Sequence, residues 1–483
     1  MRVAVIGASG YIGSHLVPRL VERGHDVVAC ARHRDVLEGR DWEHVTIREV
    51  DLLQPESIAP AIRDCDAAYY LVHSMGGGAG FDRRDRTAAR NFAEAAAQEG
   101  LQRIIYLGGL LPRRNVSRHL ASRAATGDEL RRGTVPVTEF RAGIIVGAGS
   151  AGFEIIRDLV NNLPAMVVPR WVQSQTSPIA LDDLLDTLVQ SLEVPATTGE
   201  TFDVAGPEVL RYGDLLRQFG DVVGKHPVML RVPVLTPRLS SYWLGFVTSV
   251  PANVARPLVD GLREDLVPRD RRIEDLIPLP RHTYREAVET ALAAEQAEPL
   301  PARWVEGAIG FRGYRQDVSY FSKGVTTETA APVSPAVLWE TLRTIGGRRG
   351  WFYLDRLWSI RGIFDRLLGG PGMRRGRRHP SDIRVGDAID FWRVVGVEPG
   401  RRLTLVAEMK LPGKAVLEFE VRDTGGGNSM LVTTARFHPR GILGFLYWYA
   451  VTPLHNLMFQ NMPRNIIAAA ASLPHPRGAP AGT

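Results

Sequence analysis

A chain of 483 residues exceeds what one ordinary core occupies, so two or three domains are expected. With 45% hydrophobic and 23% charged residues, the composition is that of a globular protein and excludes a disordered or fibrous chain. The formal charge of +6 favours anionic cofactors or anionic membrane surfaces, and the two cysteines, Cys30 and Cys65, exclude a disulfide framework and a cysteine zinc site.

The chain opens on "MRVAVIGASG", a strand running straight into a Gly-rich turn, so export is not expected. In "GASGYIG", Gly7, Gly10 and Gly13 lie between that strand and the helix "YIGSHLVPRLVERG". Glycines there allow a tight turn, a close approach to a pyrophosphate and close packing of helix on strand. The helix N-terminus then faces the phosphate charge, so Gly7, Ala8, Ser9, Gly10, Tyr11, Ile12 and Gly13 are the expected dinucleotide turn. The second strand, "DVVACA", ends without the acid that NAD binders present to the ribose and offers Arg32 and Arg34 instead. That pattern predicts NADP(H) in preference to NAD(H).

"HVTIREV" and "AAYYLV" read as the third and fourth strands. After the third, "VDLL" puts Asp51 and Leu52 where an adenine would lie; the alternative is a helix-capping Asp. After the fourth, "LVHS" puts Val72 and His73 beside the cofactor path; taken alone, His73 reads as a packing or hydrogen-bonding residue and not a catalyst. The helix "RRDRTAARNFAEAAAQEG", the strand "RIIYLG", the helix "ASRAATGDELRR" and the strand "VTEFRAGIIV" follow. Short apolar strands separated by helices predict an α/β, doubly wound parallel sheet. Its core is expected over 1–150, with a substrate-covering part over 151–300.

From 297 the pattern lapses, and 301–320 is expected to be a linker. Beyond it the periodicity changes. "RLTLVAEMKL" puts Leu403, Leu405, Ala407 and Met409 on one face, and "AVLEFEV" does the same with Ala415, Leu417, Phe419 and Val421. Such alternation predicts antiparallel strands with one buried face. A helix is expected over Ser334–Thr344 and a longer one over Ile442–Ser472, giving an α+β domain over 321–473 in which a curved sheet grips a long helix. The tail, 474–483, is expected to be disordered. The most apolar stretch, "GILGFLYWYAVTPLHNLMF", contains Pro453 and His455 and reads as a buried or interfacial helix, not a spanning one.

On "GASGYIG", "VDLL", Asn91, "RIIYLGG", "VPVTEFRAGIIVG" and "SPIALDDLL", residues 1–300 resemble the short-chain dehydrogenase superfamily. The nearest group is the atypical extended one, with isoflavone-reductase-like, redox-sensor and respiratory complex I accessory proteins. Residues 321–473 are similar to an uncharacterised bacterial domain fused to such reductases. On "IGGRRGWFYLDRLW", "RVGDAIDFWRV" and "AEMKLPGKAVLEFEV" its pattern resembles START-like, helix-grip folds, which hold apolar ligands.

The resemblance implies a Ser–Tyr–Lys site in which Lys lowers the Tyr pKa for proton transfer. Here Gly108 and Gly109 stand at the Ser, His119 at the Tyr and Arg123 at the Lys; only Asn91 is retained. On the functional reading His119 donates the proton, with Arg123 lowering its pKa and holding the nicotinamide ribose. On the alternative reading both are packing residues in a degenerate site. Ser117 and Ser122 are expected to be structural. Neither half of the sequence offers a metal cluster.

The functions to separate are therefore an NADPH-dependent reductase or epimerase-like enzyme and a non-catalytic NADP(H) sensor or lipid-handling factor. The enzyme would act on a bulky apolar quinone, lipid or polyketide-like substrate. Nucleic-acid binding is excluded, because 53 acidic residues offset the bases and the arginine cluster has no interleaved aromatics. The run "MRRGRRH" (Arg374, Arg375, Arg377, Arg378) is expected to be a solvated loop, with contact to an anionic membrane as the alternative. The expected location is the cytoplasm or the inner membrane face. No feature of the sequence indicates an oligomeric state.

Overall fold

The computed structural model describes residues 1–32, 34–38, 40, 42–73, 80–163, 165–168, 170–231, 264–296, 323–367, 370–375, 377–439 and 441–472. The chain divides into two units, Met1–Gly310 and Phe311–Thr483. The expected linker, the tail and the stretch "LSSYWLGFVTSVPANVARPLVDGL" (239–262), whose sequence offers an aromatic and aliphatic face if helical, lie outside the described residues.

In the first unit the strands are β1 (Arg2–Ile6), β2 (Asp26–Ala31), β3 (Val45–Glu49), β4 (Ala67–Tyr70), β5 (Arg103–Gly109) and β6 (Val137–Ala142). They alternate with α1 (Tyr11–Glu22), α2 (Arg34–Glu38), α3 (Ile58–Ile62), α4 (Phe81–Gln98) and α5 (Arg118–Arg131). Then come β7 (Ile145–Val146), α6 (Ala151–Asn162), α7 (Leu181–Ser191) and β8 (Thr201–Val204). The seven-stranded sheet runs β8-β6-β5-β4-β1-β2-β3 with every pair parallel. The continuous apolar runs are explained by its two covers. Val3 and Val5 enter one layer with Leu16 of α1 and Leu184 of α7. Ala4 and Ile6, pointing the other way, meet Ile58 of α3 and Phe92 of α4. Each such buried aliphatic side chain contributes roughly 1.5–3 kcal/mol. The chain reverses its direction of travel between β3 and β4, so α1 and α4 leave neighbouring strands on opposite faces. In open parallel sheets ligands bind at such a switch point, here at the carboxyl ends of β1 and β4.

Two expectations are corrected in this unit. The segment "VTEFRAGIIV" is not one strand: β6 stays in the main sheet, while β7 pairs in parallel with Ile179–Ala180. The break falls at Gly143, where a Cβ would lie 3.1 Å from the Ser177 carbonyl oxygen. Helix α5 begins at Arg118 instead of Ala121, capped by the Ser117 hydroxyl, which accepts from the Leu120 N–H. His119 therefore sits in the first turn.

The second unit is an antiparallel sheet of β9 (Lys323–Ala331), β10 (Ala388–Ile389), β11 (Trp392–Glu398), β12 (Arg402–Ala407), β13 (Gly413–Gly425) and β14 (Asn428–Pro439), in the order β9-β14-β13-β12-β11-β10. Its helices include α8 (Pro335–Leu342), α9 (Asp355–Leu367) and α10 (Gly441–Ala471). The alternation expected in β12 and β13 places Leu403, Leu405, Leu417 and Phe419 in one core with Leu338 and Leu342 of α8. Met458, Met462, Ile466 and Ala470 complete that core; their spacing along α10 is that of a single helical stripe.

The expectation of a solvated "MRRGRRH" loop is overturned for half of its arginines. Arg378 is buried, its guanidinium bound by Asp382 and Asp387. Arg377 donates to the carbonyls of Arg343 and Ile345. Folding has spent both cations internally, because a buried guanidinium needs acceptors on all sides.

Candidate functional site

The phosphate turn is built by absence of side chains. Gly7 takes a left-handed φ of 91°, and its N–H and that of Ala8 both donate to the Cys30 carbonyl, which locks the turn onto β2. A Cβ on Gly13 would lie 2.4 Å from the Gly7 oxygen and 2.7 Å from the Ala8 Cα, so no other residue fits there without moving the turn. Val72 packs over Gly7, within 3.1 Å of where its Cβ would be. Helix α1 starts at Gly10 without a side-chain cap. Its first N–H groups, among them those of Ile12 and Gly13, are thus left for an anion. Ser14, not Ser9, is the hydroxyl that staples the turn, by donating to the Ala8 carbonyl. Tyr11 donates to the Ala148 carbonyl and ties the start of α1 to the loop after β7. These residues fit a dinucleotide pyrophosphate.

Around the turn, the other expected cofactor residues differ in what they have free. Arg34 is paired with Glu38 across one turn of α2. Arg32, at the end of β2, is exposed and has no partner among the described residues. Asp51 spends its carboxylate on its own turn, accepting from the Leu53 N–H and the Gln54 amide. Leu52 is core. Asn91 donates its amide to the Leu52 carbonyl at 2.9 Å. It is a strut under the adenine-side loop, and nothing places its side chain with His119 and Arg123.

The residues expected to be catalytic, His119 and Arg123, meet His73 at the carboxyl ends of β4 and β5. His73 follows β4, and its ring centroid is 5.9 Å from that of His119. The Arg123 Nη2 donates to the Leu107 carbonyl at 2.7 Å, while Tyr106 donates to the Arg123 carbonyl and fixes the helix on β5. The Arg123 Nε and the His73 Nε2 are buried and unpartnered among the described residues. Burial, and then the Arg123 charge, lowers the His119 pKa to about 4. The same two causes, with His119 as a third, hold His73 well below the ordinary histidine value. His119 is thus not the near-neutral acid that its ordinary pKa of 6.5 suggests: both imidazoles are uncharged at neutral pH, and Arg123 carries the charge. Gly108 and Gly109 leave no hydroxyl. A Cβ at 108 would meet the Glu139 Oε1 at 2.7 Å, and one at 109 would meet Leu120 at 3.1 Å. Ser122, as expected, is structural, donating to the buried Asp85.

The second unit has an apolar pocket of its own, which sequence reasoning did not assemble. Trp358, Trp392, Phe437, Tyr447, Trp448 and His455 line it. His455 sits between the rings of Trp448 and Phe459, at 5.7 Å from each, and burial lowers its pKa to about 4. The spacing of Trp448, His455 and Phe459 is the signal that was available, since it places all three on one face of α10. Among the described residues the indole N–H groups of Trp358 and Trp392 and the Nδ1 of His455 have no partner. His379 is instead structural, its Nδ1 accepting from the Asp382 N–H at 2.7 Å.

A parallel sheet with a glycine phosphate turn at its switch point gives the first unit an NAD(P)-binding Rossmann fold similar to that of short-chain dehydrogenases. Comparison with known proteins agrees. Residues 7–132 match a family described as NAD(P)H-binding, and residues 319–462 match a family described as a protein of unknown function (DUF2867). Among curated proteins, the chain is similar to the mitochondrial 40 kDa subunit of NADH-ubiquinone oxidoreductase from Neurospora crassa, with 25% identity over 47% of this chain and 62% of that one. It is also similar to subunit 9 of the NADH dehydrogenase 1 alpha subcomplex from Dictyostelium discoideum, with 25% identity over 48% and 66%. The chain thus spans less than two thirds of the length of these two. Ceramide reductase from Caulobacter vibrioides is 29% identical over 48% of this chain and 73% of its own. Among solved structures, Citrobacter sp. triphenylmethane reductase superposes with a TM-score of 0.51 at 18% identity, over 61% of this chain and all of that one, a likeness of fold.

Proposed function

We propose that the chain is an NADPH-dependent reductase of a bulky apolar substrate such as a quinone, a lipid or a polyketide-like molecule. A nicotinamide bound at the switch point supplies a hydride. The observation that carries the reading is Arg123: a guanidinium whose Nε is buried and unpartnered at the carboxyl end of β5, next to His73 and His119. Reduction of a carbonyl builds negative charge on oxygen, and a fixed cation with an unused N–H in a low-dielectric site stabilises that charge. His119, uncharged at neutral pH, orients the oxygen by hydrogen bonding, and the proton that completes the alcohol is taken from solvent water. Arg32, free where NAD binders carry an acid, supports the 2′-phosphate of NADP(H). The aromatic pocket of the second unit supports a START-like role in holding an apolar molecule, and the ceramide reductase relative, named for a lipid, points the same way. The test is NADPH oxidation across a panel of quinones and apolar carbonyls. Turnover that disappears in Arg123→Met while NADPH still binds supports the reading; NADPH bound and never oxidised sinks it.

A second reading, a catalytically degenerate NADP(H) sensor or an assembly or lipid-handling factor, is favoured by Glu139. Its carboxylate fills the place where a serine at 108 would begin. A sensor needs different affinities for NADPH and NADP+, so equal affinities eliminate that role.

A further inference from the structure

Helix α9 turns its apolar stripe the wrong way for a core helix. Its inward side is fixed. Trp358 is buried, Gly362 lies so close to Met373 that a Cβ would sit 2.6 Å from that side chain, and Asp365 accepts from the backbone N–H groups of Gly372 and Lys410. The outward side carries Ile360, Ile363, Phe364 and Leu367, which are 49%, 46%, 63% and 64% exposed. Positions i, i+3, i+4 and i+7 form one continuous strip, and strips of this kind on a soluble surface mark an interaction site. Arg356 continues the same strip, and Arg348 and Arg349 stand exposed just before the helix. Against these three arginines the exposed acid is Asp355, whose carboxylate accepts from the Trp351 N–H. Arg361 is engaged with Tyr447.

We propose that this face docks the protein on an anionic phospholipid surface. Helix α9 would lie in the plane of the interface, with Phe364 and Leu367 among the acyl chains and Arg348, Arg349 and Arg356 among the headgroups. The charge of the rim selects this occupant. An apolar strip edged by arginines, with its buried side held rigidly, meets both requirements of an interfacial helix, apolar insertion and anionic attraction. Among the described residues no helix is long and apolar enough to cross a membrane, so the contact is peripheral. Arg377 and Arg378 take no part, being consumed inside the fold.

Flotation of the full chain with vesicles tests this, using phosphatidylcholine alone and an equal mixture of phosphatidylcholine and phosphatidylglycerol. The protein should float with the mixed vesicles and not with phosphatidylcholine, and less well as salt shortens the Debye length from about 10 Å at 0.1 M to about 3 Å at 1 M. The double variant Phe364→Asp/Leu367→Asp should lose flotation while retaining its near-ultraviolet circular dichroism, because both side chains are exposed. Arg348→Gln/Arg349→Gln should weaken it roughly fivefold per arginine and decides the matter if the first variant misfolds. Absence of flotation with anionic vesicles overturns the proposal, as does flotation that neither variant changes. A concentration-dependent dimer dissolved by the aspartates assigns the face to a second copy of the chain and also overturns it.

Discussion

His73 and His119 lie 46 positions apart in sequence, yet their ring centroids stand 5.9 Å apart, inclined at 55°, and the Arg123 charge lowers the pKa of both. The pair is the inverse of a hydroxyl–lysine site. The cation is permanent, and the groups that might titrate are driven neutral by burial and by that cation.

Removing the charge should therefore release the imidazole. In Arg123→Met the His119 pKa should rise from about 4 toward its ordinary value, which histidine ring NMR signals followed through a pH titration would reveal. The rise should be partial, since burial is the larger cause. If the protein is a reductase, kcat should fall by roughly 10²–10³ with little change in NADPH affinity, as expected for a lost transition-state donor. A His119 pKa that stays put would show that the guanidinium is not the neighbour it is taken to be.

At the other end of the cofactor site, Gly13→Ala should be far worse than Gly24→Ala. The first Cβ would collide with the Gly7 carbonyl at 2.4 Å, whereas nothing lies within 4 Å of the second, whose cost is its φ of 83°. Overpacking of this kind costs about 1–3 kcal/mol, and here it also displaces the anion-binding turn. Thermal melts and NADPH fluorescence together check it: Gly13→Ala should lower Tm and abolish binding, and Gly24→Ala should keep binding.

Much of this architecture was legible because it follows from local rules. The apolar runs around Val3–Ile6 announce a strand covered on both faces, and the spacing of Gly7, Gly10 and Gly13 announces the turn. The alternation in β12 and β13 announces a one-sided sheet. What was not legible depends on tertiary partners. Nothing local distinguishes Arg377 and Arg378 from solvated arginines until Asp382, Asp387 and two carbonyls surround them. Nor does "RHLASR" disclose that His119 meets His73, or that burial takes it below the range of a useful acid. The outward strip of α9 reads from sequence as an ordinary core stripe, because periodicity gives spacing and not direction.

Cofactor choice provides a separate test. With Arg32 exposed and unpaired and Arg34 held by Glu38, the proposed NADP(H) preference rests on Arg32 meeting the 2′-phosphate. Arg32→Glu should reverse the preference, weakening NADPH by at least roughly tenfold, the size of a charge-assisted contact replaced by repulsion, while sparing NADH. Arg34→Ala should do much less. Isothermal titration with both nucleotides checks the pair, and equal losses in the two variants would remove the distinction drawn between them.

Stability of the first unit should fall as the medium is acidified, starting well above the carboxylate range. Burial lowers His15 and His119 to about 4, and His73 lies well below its ordinary value. Above pH 6.5 these groups are neutral whether the chain is folded or not, and they contribute no pH dependence. Between 6.5 and about 4 the unfolded chain takes up protons that the folded one refuses. Unfolding is then favoured by up to about 1.4 kcal/mol per pH unit for each histidine. His282 runs the other way. Its hydrogen bond to the buried Asp183 raises its pKa, so its contribution is complete below 6.5 and is lost as the pH climbs through the raised value. Acidification from 6.5 toward 4 thus leaves His282 constant and exposes the slope of the lowered histidines, to which His25, also lowered by burial, adds. Melting temperatures taken at intervals across that range should decline, and His119→Asn should flatten the decline. A profile flat down to pH 5 would mean that the three imidazoles are not held neutral by the fold.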